Sequence, residues 1–235
     1  MTEQILLAIF AHTDDETLLA GPLLAKCASE GFDVRVLSVA GGHDDRYERF
    51  LLATQELGVS AVYNLRYDAT EHGSEAGDEG VMSITEAPAG ELASRILGRI
   101  EEVGPDIVVT HSADGDYGHP DHSKVHRAVL KAVTRFDAPA VELYALAWPG
   151  LLPRLARRFM SGSEGEVAAP TTSVKAGRWV AVRKRAAHHY RPEIAVGPLP
   201  MRILESSPSW AQRLVFGNVN LTQLHPTGGT TKSTF

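Results

Sequence analysis

Two short clusters carry the residue types that bind metals and move protons. The first reads Ala11-His12-Thr13-Asp14-Asp15-Glu16, the second Tyr117-Gly118-His119-Pro120-Asp121-His122. His12 and Asp15 stand three residues apart, so both side chains can point at one centre from a turn between a strand and a helix. His122 would bring a third ligand from the other cluster. Two imidazoles and one carboxylate leave the fourth position of a tetrahedral site open to water, the pattern of catalytic rather than structural zinc. The same donors suit Fe2+, Co2+ and Ni2+, so donor type alone does not choose the metal. Asp14 is left beside its ligating neighbour, placed to take a proton from water acidified by the metal. His119, held by Asp121, would be an oriented imidazole that balances an oxyanion or protonates a leaving amine. Tyr117 offers a hydroxyl to the same developing charge.

Each cluster alone has a plainer reading. Asp14, Asp15 and Glu16 suit the N-terminus of any helix, whose dipole favours acidic side chains. A lone pair such as His119 and His122 is more often two solvated histidines in a loop. Their conjunction favours a metal site, because each cluster follows a buried strand. His111, at the end of a strand, reads equally as a pocket residue or a packing one, and His126 as a helix-face contact. His43 and His72 sit in polar loops, and His188, His189 and His225 have no ligand spacing.

Such residues need strand ends to hold them. ILLAIF (Ile5–Phe10) is a continuous apolar run of the kind buried on both faces of a sheet. Residues 17–30 carry Leu18, Leu19, Leu23, Leu24 and Cys27 at helical spacing, closed by Gly31. Strands are expected over 33–39, 61–65, 106–110 and 141–148, and helices over 47–57, 91–103 and 123–134. This alternation predicts an α/β fold, a mostly parallel sheet with helices on both faces and right-handed crossovers. Its site would lie beyond the carboxyl ends of the strands. Residues 68–90 read as a surface loop or insertion. Residues 149–235 look less regular, punctuated by prolines, with one helix near 179–190 and a loose tail GGTTKSTF. A single domain spanning 1–235 is expected.

Composition narrows the partners. The 235 residues carry a net charge of −6 with no clustered Lys/Arg, which argues against nucleic acid and anionic membranes. The single cysteine, Cys27, allows no internal disulfide and reads as a buried thiol. The chain runs from Met-Thr-Glu-Gln straight into a strand and has no long apolar run, so a soluble cytoplasmic protein is expected. Gly41-Gly42 is too short for a dinucleotide-binding loop. Oligomeric state is left open, a homo-oligomer included.

The paired clusters resemble the signatures of the LmbE-like, or PIG-L-like, zinc deacetylases, which show AHPDDE near the N-terminus and HPDH near mid-chain. Here they read AHTDDE and GHPDH, and KRAAHHY (residues 184–190) looks like a later segment of that family. The resemblance implies a Rossmann-like sheet and a zinc ion held by His12, Asp15 and His122. It implies Asp14 as general base, His119 oriented by Asp121 as electrostatic or acid catalyst, and Tyr117 near the oxyanion. It also implies a substrate-contacting arginine, Arg46 with Arg49 as a rival. The expected activity is removal of the N-acetyl group from a small-molecule sugar conjugate of the N-acetylglucosamine type. Two alternatives stay open: a metal-dependent hydratase of unsaturated dicarboxylates, and a sugar- or metal-binding member without activity. Thr13 departs from the family proline. Threonine gives up the fixed φ of proline but still permits an extended backbone and a cap for the helix that follows.

Overall fold

The computed structural model describes residues 4–41, 45–69, 82–135, 141–148, 169–197 and 199–225. Most of the expected loop at 68–90, the tail GGTTKSTF, His43 and His72 lie outside them. The apolar run forms β1 (Ile5–Phe10). Its side chains alternate between two cores. Leu6, Ala8 and Phe10 pack with Leu23, Leu24, Phe50 and Leu57, while Leu7, Ile9 and Ala11 join Leu92, Ile96, Val125 and Val129. A strand with a core on each side has no polar face, hence its unbroken apolar sequence.

The helix expected over residues 17–30 is two helices, α1 (Asp15–Leu18) and α2 (Gly21–Ser29). Pro22 breaks the pattern: it lacks an N–H and belongs in a first helical turn, where it sits in α2. Cys27 lies buried on α2 as expected, and burial pushes its thiol up to about 12.

The chain continues through β2 (Asp33–Ala40), α3 (Asp45–Leu57), β3 (Ala61–Tyr67), α4 (Ala89–Val103), β4 (Ile107–Thr110), α5 (Pro120–Val133) and β5 (Glu142–Ala147). These five strands are parallel. α2 and α3 supply side chains to one core, α4 and α5 to the other, so helices cover both faces. The sheet order is β3-β2-β1-β4-β5-β7-β6. From β1 the chain builds outward to β2 and β3, then crosses back to β4 and builds the other way. The reversal lies between the carboxyl ends of β1 and β4, where such sheets open a crevice. Both clusters are there. α5 starts at Pro120, earlier than expected, so Asp121 and His122 occupy its first turn.

The described part of the last third is more regular than its sequence suggests. After β6 (Thr172–Lys175) come α6 (Val180–Ala187), α7 (Arg191–Val196), α8 (Leu199–Ser206), α9 (Ser209–Phe216) and β7 (Asn218–His225). β7 joins the sheet antiparallel to both β5 and β6. Pro192 and Pro208 mark the starts of α7 and α9, where proline fits, rather than a lack of structure. This portion grips the first cluster directly. The fully buried Arg183 of α6 donates to Leu18 O (3.1 Å), pairs with Glu205 and lies 3.8 Å over the Phe216 ring. The Tyr190 hydroxyl donates to Glu16 Oε1 at 2.9 Å. No helix among the described residues is long and apolar enough to cross a membrane.

Candidate metal centre

His12 and Asp15 leave the end of β1, and His122 rises from the first turn of α5. All three side chains are buried and converge. His122 Nε2 lies 3.2 Å from His12 Nδ1 and 3.4 Å from Asp15 Oδ1, and His12 Nδ1 lies 3.3 Å from Asp15 Oδ2. Ligand atoms held at zinc distances around one tetrahedral centre stand about 3.3–3.4 Å apart. The two nitrogens stand near that distance, and each lies as close to its own oxygen of the Asp15 carboxylate, His122 Nε2 to Oδ1 and His12 Nδ1 to Oδ2.

Hydrogen bonding fixes which nitrogens face the centre. His122 Nδ1 meets the Asp116 carboxylate at 2.9 Å, so it carries the proton and Nε2 is bare. His12 Nε2 meets Asp121 Oδ2 at 3.1 Å, which leaves Nδ1 bare. Two lone pairs and a carboxylate therefore face one another inside the protein, and only a positive species makes that arrangement favourable. Without a metal that positive species is a proton on His12 Nδ1. Burial disfavours a charged His12, but hydrogen-bonding Asp121 and Asp15 outweigh it and push the imidazole up to about 10. Burial also disfavours ionised Asp15, yet the His122, His12 and His111 rings hold its carboxyl well below the usual range. The cluster is short of positive charge, and its donors fit a divalent cation of zinc's size.

His111 is fully buried and close, but its lone pair is engaged. Ala11 N–H donates to His111 Nε2 at 2.8 Å, so the proton sits on Nδ1, which donates to Asp116 Oδ2 at 2.6 Å. His111 stacks on the His122 ring at 3.9 Å and thereby helps set its plane. His126 packs against this group from α5, its Nδ1 donating to His111 O at 2.8 Å.

The spacing between Asp121 and His119 suggests a carboxylate–imidazole pair, and the two do touch, through the backbone. Asp121 N–H donates to His119 Nδ1 at 3.2 Å, capping α5, while the Asp121 carboxylate reaches His12. His119 therefore carries its proton on Nε2. Burial, with His122 and His12 nearby, pushes its pKa down to about 4, so the imidazole is neutral in the metal-free site. The His119 ring lies 4.6 Å from His122, and Tyr117 stands edge-on to His119 at 5.9 Å.

Asp14 is half-buried at the rim. Arg46, at the start of α3, donates to Asp14 Oδ2 (3.0 Å) and to Thr13 O (3.2 Å). Arg49, the rival, instead pairs with Glu193 at 2.6 Å and ties α3 to α7. Thr13 is buried against Gly41. A Cβ at Gly41, whose φ is +132°, would lie 2.7 Å from Thr13 Cγ2, so glycine there makes room for the threonine that stands in place of proline.

Asp116 is the site residue that spacing missed. It accepts from His111, His122, the Ser112 amide (3.1 Å) and the Trp148 indole (3.1 Å). It is fully buried, which disfavours its charge, yet His111 and His122 hold it well below the usual carboxylate range. Its φ of +64°, between Gly115 and Gly118 at +77° and +92°, makes a tight turn against the start of α5. The Asp-flanked glycines were a readable turn signal, but the partners of the carboxylate were not readable. If the cluster binds a divalent metal, Asp116→Asn should weaken that binding about 10–100-fold, the usual cost of removing an outer partner of a ligating imidazole. Competition with a chromophoric chelator measures this, and unchanged affinity would remove Asp116 from the site.

Comparison with known proteins identifies the family and the fold. A 1D-myo-inositol 2-acetamido-2-deoxy-alpha-D-glucopyranoside deacetylase of Corynebacterium jeikeium (strain K411) is 30% identical over 173 residues, 58% of this chain and 52% of that protein. The chain spans about half the length of several such curated relatives. Among solved structures, the zinc-inhibited form of teicoplanin deacetylase Orf2 superposes with a TM-score of 0.65 at 21% identity, over 95% of this chain and 100% of that one. The 4-carboxy-2-hydroxymuconate hydratase of Pseudomonas putida KT2440 superposes with a TM-score of 0.61 at 15% identity, over 98% and 100%. Those two likenesses establish the shared fold. With residues 7–133 matching its family profile, the chain belongs to the PIG-L (GlcNAc-PI de-N-acetylase) family.

Proposed function

We propose that this protein is a zinc-dependent N-deacetylase that hydrolyses the acetamido group of a small N-acetylglucosamine-type sugar conjugate. The observation that carries the reading is the triangle of His12, Asp15 and His122 with the Asp14 carboxylate beside it. The activities for which the relatives are named point to the same substrate class. His12 Nδ1, Asp15 and His122 Nε2 would hold the zinc ion; Fe2+, Co2+ and Ni2+ suit the same donors. When bound, zinc supplies Lewis acidity that polarises the acetyl carbonyl and makes a water acidic near neutral pH.

The chain's own residues do the rest. Asp14 takes the proton of the attacking water as general base. Arg46 holds one Asp14 oxygen and so aims the carboxylate; a substrate contact by the same guanidinium is compatible with its place at the rim. His119 presents Nε2–H, and Tyr117 its hydroxyl, to the oxygen of the acetyl carbonyl as negative charge gathers there. Asp14 then returns the proton to the departing amine. Asp121 and Asp116 orient His12 and His122 and leave their lone pairs inward.

Purified, zinc-loaded protein is expected to release acetate from N-acetylglucosaminyl conjugates, N-acetylglucosaminyl-inositol among them. No acetate from a broad panel would overturn the reading. Loss of enoate absorbance from unsaturated dicarboxylates, without acetate release, would move the protein to the hydratase alternative.

A further inference from the structure

The Asp116 carboxylate divides its oxygens between two tasks. Oδ2 takes the Nδ1 atoms of His111 (2.6 Å) and His122 (2.9 Å). Oδ1 accepts from the Ser112 amide and from the Trp148 indole, both at 3.1 Å. Ser112 belongs to the same loop, four residues from Asp116, and moves with it. Trp148 does not. It follows β5, the parallel neighbour of β4, and is half-buried against the core. Its N–H therefore ties the loop that aims two imidazoles to the end of another strand.

We propose that Trp148 is a positioning residue for His122, acting through Asp116; the inference rests on the metal centre proposed above. The indole nitrogen is a donor and nothing else. While it holds Oδ1, the carboxylate cannot turn about its Cβ–Cγ bond without breaking that contact, so Oδ2 stays beneath His122 Nδ1 and the Nε2 lone pair stays inward. The indole is itself held. Phe216 of α9 stands edge-on to it, with ring centroids 6.5 Å apart and planes at 85°, an arrangement that aromatic pairs prefer. The Arg183 guanidinium lies over Phe216 and also donates to Leu18 O, at the end of the helix that begins with Asp15. The contacts around Trp148 thus lead from one ligand-bearing segment back to the other. Packing against Phe216 needs only an aromatic ring; the bond to Asp116 needs the N–H.

Trp148→Phe removes the donor and keeps an aromatic ring. Chelator competition is expected to show zinc held about 3–10-fold more weakly, as for the loss of one hydrogen bond. At saturating Co2+, which suits the same donors, the visible absorption bands of this variant should shift, because they follow the geometry of the ligands and not the stability of the fold. Trp210→Phe, at an exposed position, should match the wild type in both measurements. Unchanged Co2+ bands in Trp148→Phe would overturn the proposal even if affinity falls, since lost packing alone could weaken binding. Should Trp148→Phe fail to fold, the variant Trp179→Phe with Trp210→Phe keeps Trp148 as the one tryptophan left of three. Its emission should change in step with zinc occupancy, and emission indifferent to zinc would overturn the proposal. A wild type that binds neither zinc nor Co2+ would overturn the metal centre itself, and this inference with it.

Discussion

Replacing Asp14 by Asn is expected to lower kcat/KM by about 10²–10⁴, the usual contribution of a positioned general base, or about 3–5 kcal/mol of transition-state stabilisation. Zinc content should not change, because the proposed ligand atoms belong to His12, Asp15 and His122. The carboxamide keeps the size of the side chain and can still accept from the Arg46 guanidinium, now 3.0 Å from Asp14 Oδ2. What it loses is the ability to take a proton. His122→Ala makes the contrast, since it should remove metal and activity together. A metal-replete Asp14→Asn variant with wild-type turnover would end the general-base assignment, whatever the substrate. A wild type equally inactive would favour a binding protein with the fold of an enzyme.

The largest effect on stability is expected at Arg183. Its guanidinium is buried, pairs with Glu205 (2.9 Å to Oε2), donates to Gln212 Oε1 (3.3 Å) and to Leu18 O, and covers the Phe216 ring. Arg183→Met keeps most of the packing but strands Glu205, whose side chain is only 6% exposed. Breaking a buried pair from one side costs about 3–5 kcal/mol, a fall in Tm of roughly 6–20 °C for a chain of this size. Calorimetry measures it. The double replacement Arg183→Met with Glu205→Leu should recover most of the loss, since removing both charges leaves none unpaired. If the double variant is as unstable as the single one, packing rather than charge is the role of Arg183. Its bond to Leu18 O matters beyond stability, because Leu18 ends α1, which begins at the proposed ligand Asp15.

How much of this was legible beforehand depends on the range of the interaction. Strand β1 was readable because two cores demand an unbroken apolar run, a local property. The first cluster was readable because a turn of three residues holds His12 and Asp15 to one side. The three donors come together because β1 and β4 are neighbours in the sheet, a strand order that alternation allows but does not dictate. The break at Pro22 and the early start of α5 at Pro120 were written in proline, but an apolar period ran over the first and a metal-site pattern hid the second.

By itself, then, the sequence determined the α/β class, the place of both clusters at strand ends and the identity of the donors that face one another. Only the tertiary structure decided how those donors are aimed: Asp121 on His12 rather than His119, Asp116 beneath His111 and His122, Arg46 on Asp14. It also decided that the last third forms two strands of the same sheet and clamps α1 through Arg183 and Tyr190. The physical reason is common to all of these. Periodicity and turn chemistry act over a few residues and leave a trace in composition. A hydrogen bond such as Ala11 N–H to His111 joins groups 100 residues apart and exists only once the chain has folded around it.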